Sequence, residues 1–137
     1  MNKIIQIIAA SAAAVCGFLF GEFDGLMYAL IAFMVLDYIS GVLVAIDQKE
    51  LSSKVGFKGI AKKVIILVLV AVGHLLDVHV LQDGAVCRMA VSGFYAANEA
   101  ISILENAGEL GIPLPKKLVA VLKQLKSDEE DENEQSI

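Results

Sequence analysis

Polar and ionisable side chains interrupt an otherwise apolar segment near residue 90. Arg88, Ser92, Tyr95 and Glu99 recur at intervals of four, three and four residues, which on an α-helix returns them to within about 20° of one direction. Asn98 borders this line, and we call the five residues the polar stripe. A charge at the centre of a bilayer costs on the order of 3 kcal/mol. The polar stripe therefore predicts either the lining of an aqueous pore or a buried seam between helices.

The polar stripe needs a partner surface under both interpretations. Asp37 interrupts a second apolar segment and is a candidate to neutralise Arg88, although Glu99 and a neighbouring chain remain open as alternatives. A single chain of four helices has little room to hide such a stripe. We therefore expect a homo-oligomer.

The residue types that carry enzyme chemistry do not occur at recognisable spacings. His74 and His79 lie close to Asp77, but a metal site would lack its remaining ligands. Cys16 and Cys87 lie in apolar segments and are expected to be buried thiols. We predict no catalytic residue, no metal and no cofactor. The net charge of −5 comes from the acidic run within residues 128–134, which gives no argument for a nucleic acid partner.

The elements that position the polar stripe are apolar segments of membrane-spanning length. Hydrophobic residues make up 57% of the 137-residue chain, and the mean hydropathy is +0.70. A helix needs about 20 apolar residues to cross a bilayer. We predict an all-α integral membrane protein whose transmembrane domain covers residues 1–106, with spans at 4–21, 25–46, 64–81 and 85–104. Three spans remain possible if the first is cleaved or if the last two form a shallow hairpin.

The first span carries small residues along one side. Ala10, Ala14, Gly17 and Gly21 recur at spacings of three and four residues, which allows another helix to approach closely. We predict that this side packs against a helix. The competing interpretation is a secretory signal peptide with a cleavage site near residues 12–14.

Lysines set the predicted orientation in the membrane. The segment 47–63 holds five of them against two acidic residues, and basic loops stay in the cytoplasm. Both termini are then cytoplasmic. In this loop the residues expected to contact the inner leaflet are Lys54, Lys58, Lys62 and Lys63. The first three lie four residues apart, so the end of the loop is expected to form a basic-faced helix that leads into the third span.

The segment after the last span combines a basic helix with an acidic tail. Leucines and valines recur on one face between residues 114 and 125, which predicts a basic amphipathic cytoplasmic helix within residues 107–127. Such a helix lies on anionic lipid or packs against a partner subunit. Its lysines expected at the inner leaflet are Lys116, Lys117, Lys123 and Lys126. Residues 128–137 are expected to be disordered.

An ordered series of short motifs resembles the phage lysis and toxin-secretion holins. The segment 36–41, LDYISG, resembles the Asp-x-x-Ser/Thr-Gly element of that family. Similar matches follow in order along the chain, at Ser52-Ser53-Lys54, Gly56, Gly59, Lys62-Lys63, Asp77, Arg88, Tyr95, Asn98-Glu99, Ser102–Asn106, Gly111-Ile112-Pro113 and Lys116.

The resemblance implies a protein that oligomerises in the bacterial cytoplasmic membrane and opens lesions. An endolysin or a protein toxin is the implied cargo. The family element adds Gly41 to the residues expected in helix packing. The alternatives are an antiholin or a non-conducting scaffold, and then a small selective channel, although a selective channel needs a filter that this sequence does not display.

Overall fold

The chain folds into α-helices joined by short turns. The computed structural model describes residues 2–135, with side chains at all of these positions except 122 and 125–133. The described residues contain no strand, so the predicted all-α fold class is confirmed. The helices are α1 (Lys3–Phe20), α2 (Gly25–Asp47), α3 (Ser53–Leu75), α4 (Val86–Glu109) and α5 (Lys116–Gln135), and a π-helical turn (Leu76–Leu81) extends α3.

Polar side chains begin the first three helices. Asn2 Oδ1 accepts from the amide of Ile4 at 3.2 Å. Asp24 Oδ1 accepts from Met27 at 3.0 Å, and Ser52 Oγ accepts from the third residue of α3 at 3.2 Å. These bonds satisfy backbone amides that have no partner inside a helix. At α2 the cap also marks the position where the chain changes from polar to apolar.

Helix α4 packs most extensively against α2 and next against α3. Asp24 at the start of α2 pairs with Arg88 near the start of α4, and Gln48 beyond α2 bonds to Glu109 at the end of α4. The two helices are therefore parallel and in register. The apolar core between α2, α3 and α4 consists of Met27, Leu30, Met34, Val70 and Ala96.

Helix α1 lies at the edge of this bundle. It packs against α3, and none of its residues is buried. Most of its large apolar side chains, including Ile7 and Phe18, are more than half exposed. A helix that is apolar all round and exposed in a single chain is suited to lipid or to another membrane helix.

Three of the described helices are long and apolar enough to cross a membrane: Lys3–Phe20, Gly25–Asp47 and Ser53–Leu81. The third begins at Ser53, before the predicted start at residue 64, because lysines at four-residue spacing fit a helix and leave its apolar face uninterrupted. Helix α4 has 24 residues, a sufficient length, but it falls outside this set because the polar stripe lowers its hydropathy. The four-span topology stays a prediction.

The C-terminal helix is longer than predicted. Helix α5 runs from Lys116 to Gln135, whereas disorder was expected from residue 128. The segment is rich in glutamate, which has a high helix propensity, so a helix continues there without an apolar face. The last two positions of the expected tail, 136 and 137, lie outside the described residues.

Candidate functional site

One end of the bundle is joined by Arg88. Its Nε donates to the carbonyl oxygen of Phe20 at 2.6 Å, and its Nη2 donates to that of Glu22 at 2.6 Å. Its Nη1 pairs with Asp24 Oδ2 at 2.9 Å. Arg88 is 4% exposed, so these partners replace water around a buried charge. The guanidinium thereby ties the end of α1 and the start of α2 to α4.

Asp77 anchors the start of α4 from the π-helical turn. Its two carboxylate oxygens each accept a backbone amide of α4 at 2.9 Å, from Cys87 and Arg88. A carboxylate is favourable at this position because the first amides of a helix point outward and carry partial positive charge. We call Arg88, Asp24, Asp77 and the two carbonyl groups the Arg88 cluster.

Two glycines allow the close approaches around the Arg88 cluster. A Cβ on Gly73 would lie 3.1 Å from the carbonyl oxygen of Cys87 and 3.2 Å from the Arg88 nitrogen. Gly21 has a φ of +73°, and a Cβ there would meet the His74 ring at 2.5 Å. The close approach of α3 to α4 and the turn after α1 therefore both require glycine, because a side chain at either position would collide with its neighbours.

A second polar group bridges α2, α3 and α4 farther along the bundle. Lys63 Nζ lies 2.7 Å from Asp37 Oδ2 and 2.8 Å from Glu99 Oε2. Asn106 Nδ2 donates to Asp37 Oδ1 at 3.2 Å and to Ser40 Oγ at 2.8 Å. We call Lys63, Asp37, Glu99 and Asn106 the Lys63 cluster. It connects all three helices by charge-assisted bonds.

A cavity of about 450 Å³ opens beside the Lys63 cluster. Its polar wall includes Asp37, Lys63 and Glu99, and its apolar wall includes Leu51 and Val55 at the beginning of α3. The Tyr38 ring spans this wall close to Gly56 and Gly59. The cavity therefore extends from the α2–α3 loop to buried charges in the middle of the bundle.

An apolar layer separates the two clusters. Met27, Leu30 and Val70 are at most 1% exposed and fill the space between α2, α3 and α4. Ser92 lies in this layer at 1% exposure, and its hydroxyl has no hydrogen-bond partner among the described residues. A buried hydroxyl without a partner costs about 1–3 kcal/mol. The layer closes the bundle against water at a measurable cost to stability.

The structure places the polar stripe inside the single chain. Arg88, Ser92 and Glu99 are buried, and Tyr95 and Asn98 are partly buried. The expectation that one chain has little room for the stripe is therefore wrong, because α2 and α3 together cover it. In this conformation the stripe forms a helix seam.

The partner proposed for Arg88 is also corrected. Asp37 pairs with Lys63, and Arg88 pairs with Asp24 at the other end of α2. The sequence signal for Asp24 is its place directly before an apolar run, which is typical of an N-cap. Lys63 carries no such signal, because its partners lie 26 and 36 residues away along the chain.

The remaining predicted residues fall into different environments. Ala10, Ala14 and Gly17 are exposed, and Gly21 and Gly41 are partly buried. Lys63 differs from the other lysines of the predicted loop, because its ammonium is held inside the bundle by two ion pairs. The lysine side chains at the surface are those of Lys54, Lys58, Lys62, Lys116, Lys117 and Lys123, and the side chain of Lys126 lies outside the described residues.

The pKa of Asp24 is lowered from its ordinary value of 3.8. The hydrogen bond from the Met27 amide is the largest cause, and the bond from Arg88 adds to it. Both donors stabilise the ionised carboxylate. Since the Asp24 side chain is 48% exposed, solvent screens this effect.

Comparison with known proteins identifies relatives along almost the whole chain. The model of the bacteriophage holin family matches residues 14–127. An uncharacterized protein of Listeria innocua is 45% identical over 100% of this chain and 99% of its own length. An uncharacterized protein of Halalkalibacterium halodurans is 41% identical, with coverages of 94% and 98%.

A phage protein is among the more distant relatives. The probable holin of Bacillus phage phi105 is 32% identical over 85% of each chain. No solved structure matches. Because the family model covers most of the chain and the relatives align over nearly all of it, the chain belongs to the bacteriophage holin family.

Proposed function

We propose that the chain is a holin that oligomerises in the bacterial cytoplasmic membrane and forms lesions. An endolysin or a protein toxin then leaves the cytoplasm through them. The observation that carries this proposal is the polar stripe of α4, which lies buried inside a bundle with an apolar exterior. Family membership and the phage relative named a probable holin support the same role.

The proposed topology has four spans and both termini in the cytoplasm. Lys54, Lys58 and Lys62 are exposed at the beginning of α3, where the positive-inside rule favours the cytoplasmic side. The Arg88 cluster then lies at the outer surface, and the cavity beside the Lys63 cluster opens toward the cytoplasm. Exposed lysines on α5 favour its contact with the anionic inner leaflet.

Lesion formation requires α4 to separate from α2 and α3. In the closed chain the Arg88 and Ser92 part of the polar stripe is buried and only its other end meets the cavity, so the stripe does not line a continuous path for water. Separation exposes Arg88, Ser92 and Glu99 along one face of α4, and copies of that face can surround a pore. The unpaired Ser92 hydroxyl favours opening, because water or another chain can satisfy it there.

Inducible expression in bacteria tests this proposal. Membrane potential and release of a co-expressed cytoplasmic endolysin are followed after induction. We expect abrupt depolarisation with enzyme release. Arg88→Ala and Glu99→Gln remove polar groups that would line the pore, so both should lose depolarisation and release at equal membrane abundance, although Arg88→Ala also weakens the closed bundle. Glu134→Gln on α5 is the control, because Glu134 is exposed and lies outside both clusters.

The second candidate is an antiholin or a non-conducting scaffold. It is favoured by the ionic contacts of the polar stripe, since Arg88 pairs with Asp24 and Glu99 pairs with Lys63. A sealed seam of this kind serves a protein that only binds others. Stable accumulation in the membrane without depolarisation or release would support this alternative.

A further inference from the structure

The Lys63 cluster contains more acidic than basic groups. Lys63 supplies one ammonium, whereas Asp37 and Glu99 supply two carboxyl groups, both within 2.8 Å of its Nζ. Asn106 contributes a neutral amide. With every group ionised, the cluster carries one surplus negative charge.

The two carboxyl groups converge on the same ammonium, because Asp37 and Glu99 both accept from Lys63 Nζ. Two carboxylates that share one site repel each other, and a proton on one of them relieves this repulsion. Asn106 donates a further hydrogen bond to Asp37, but it brings no charge. The geometry therefore favours one proton on the pair.

The location of the cluster makes a proton energetically necessary. The Glu99 side chain is 8% exposed and that of Asp37 is 15% exposed. Burial of an uncompensated charge is costly, and buried groups commonly neutralise instead. One proton makes the cluster neutral.

We propose that Asp37 and Glu99 together form a binding site for one exchangeable proton, reached through the cavity from the α2–α3 loop. The pair lies on the cavity wall, so water can carry the proton to it. The carboxyl that holds the proton is neutral, and Lys63 compensates the single charge that remains. Loss of the proton to cavity water leaves two carboxylates facing one ammonium.

Neighbouring ionisable groups do not remove this imbalance. The other titratable side chains on the cavity wall are Tyr38 of α2, Lys62 of α3 and Tyr95 of α4. A tyrosine hydroxyl cannot supply a cation. Lys62 is exposed, so solvent screens its charge at the rim. The proton and Lys63 therefore carry the compensation.

The proton site couples the closed bundle to cytoplasmic pH. The closed conformation holds the proton, whereas separation of α2 from α4 gives each carboxyl group its own water. The bound proton then stabilises the closed form at low pH, and this stabilisation is lost as the pH rises and the proton is released. Use of this coupling to time lesion formation rests on the proposed function, but the proton site does not.

Solid-state NMR of the full chain in phospholipid vesicles tests the site directly. Aspartate and glutamate carboxyl carbons are labelled with ¹³C, and their chemical shifts are followed with pH. We expect a protonated carboxyl resonance at neutral pH that disappears on alkaline titration. It should be absent in both Glu99→Gln and Asp37→Asn, and present in the control Glu134→Gln.

Two results would overturn the proposal. One is complete ionisation of all labelled carboxyl groups at neutral pH in the wild-type chain, with or without a sodium-dependent shift. The other is a protonated resonance that persists in both cluster variants, because the proton then resides elsewhere. The measurement uses the closed chain, so it distinguishes failure of the proton site from failure of the holin proposal, which depolarisation and release report.

Discussion

Arg88 has the largest structural role of any single side chain in the polar stripe. Its guanidinium serves the carbonyl groups of Phe20 and Glu22 and the carboxylate of Asp24, while its own backbone amide is bound by Asp77. The planar guanidinium holds several N–H donors in different directions and so reaches all three acceptors, which the ammonium of a lysine cannot do. Four chain segments meet at one residue.

Arg88→Ala is therefore expected to destabilise the bundle. Loss of a buried charge that is paired and hydrogen-bonded costs on the order of 3 kcal/mol. Arg88→Lys should cause a smaller loss, because it keeps the charge but cannot serve all three acceptors. Denaturant unfolding in micelles, followed by circular dichroism, measures both. Lys58→Ala is the control, since an exposed lysine should change stability by about 0.5 kcal/mol or less.

The pH dependence of the Arg88 cluster should come from Asp24. The pKa of Asp24 is lowered in the folded chain. Its stabilising contribution is therefore complete above the ordinary pKa of an unfolded chain, and it is lost as the pH falls through the lower pKa of the folded chain. Asp24→Asn keeps a capping side chain but removes the charge. The stability difference between wild type and Asp24→Asn should therefore shrink below about pH 4. Glu22→Gln, in the same turn, should retain the wild-type pH dependence, and its loss there would contradict this assignment.

Sequence reasoning at this scale found the buried charges but not all their partners. The cost of a charge in hydrocarbon singled out Asp37, Arg88 and Glu99. It could not identify Lys63, because the pairing depends on how α2, α3 and α4 rotate against one another. Lysines near a predicted loop are usually solvated, and the length of α3 is what brings Lys63 into the bundle.

At the scale of the helices, the close contact between α3 and α4 depends on Gly73. A methyl group there would press on the backbone of Cys87 and Arg88, which cannot move aside without disturbing the Arg88 cluster. Gly17 on α1 differs, because a Cβ there has no neighbour within 4 Å. The two glycines form a matched pair for substitution.

Gly73→Ala should lower the stability of the chain by about 1–3 kcal/mol through overpacking. Gly17→Ala should leave the stability of the single chain unchanged or slightly higher, because alanine has the better helix propensity. Thermal unfolding in micelles compares the two. Equal stability of Gly73→Ala and Gly17→Ala would show that α3 and α4 are not held at the described distance.

The helices were predictable where one physical signal dominates. Apolar length predicted α1 and α2 closely, since their ends coincide with polar caps. The spacing of Lys54, Lys58 and Lys62 predicted a basic-faced helix leading into the third span, and α3 begins at Ser53; the predicted span itself began only at residue 64, where the charges end. Disorder was expected from residue 128, where α5 continues, because low hydrophobicity indicates solvent exposure and does not decide whether a helix forms.

At the scale of the whole molecule, the closed bundle covers the groups that a pore needs. The polar stripe and the Lys63 cluster lie between α2, α3 and α4. The exterior of the bundle carries apolar side chains that are suited to lipid. The sequence predicted a polar stripe that demands a partner surface. It could not predict that the same chain provides that surface, because this depends on α2 and α4 being parallel and in register.

The central claim is that lesions form when α4 leaves α2. A disulfide between Ser40→Cys and Asn106→Cys can lock the two helices, since the native side chains are 2.8 Å apart. Cys16 and Cys87 are replaced by alanine to prevent other disulfides. The locked chain is reconstituted in vesicles that contain an endolysin-sized fluorescent protein.

Release of that protein is then measured before and after reduction, with the unlocked chain as the reference. The account predicts retention in the oxidised state and release after a reductant is added. Equal release in both states would contradict opening between α2 and α4. Retention in both states, with release by the unlocked chain absent as well, would contradict the holin function itself.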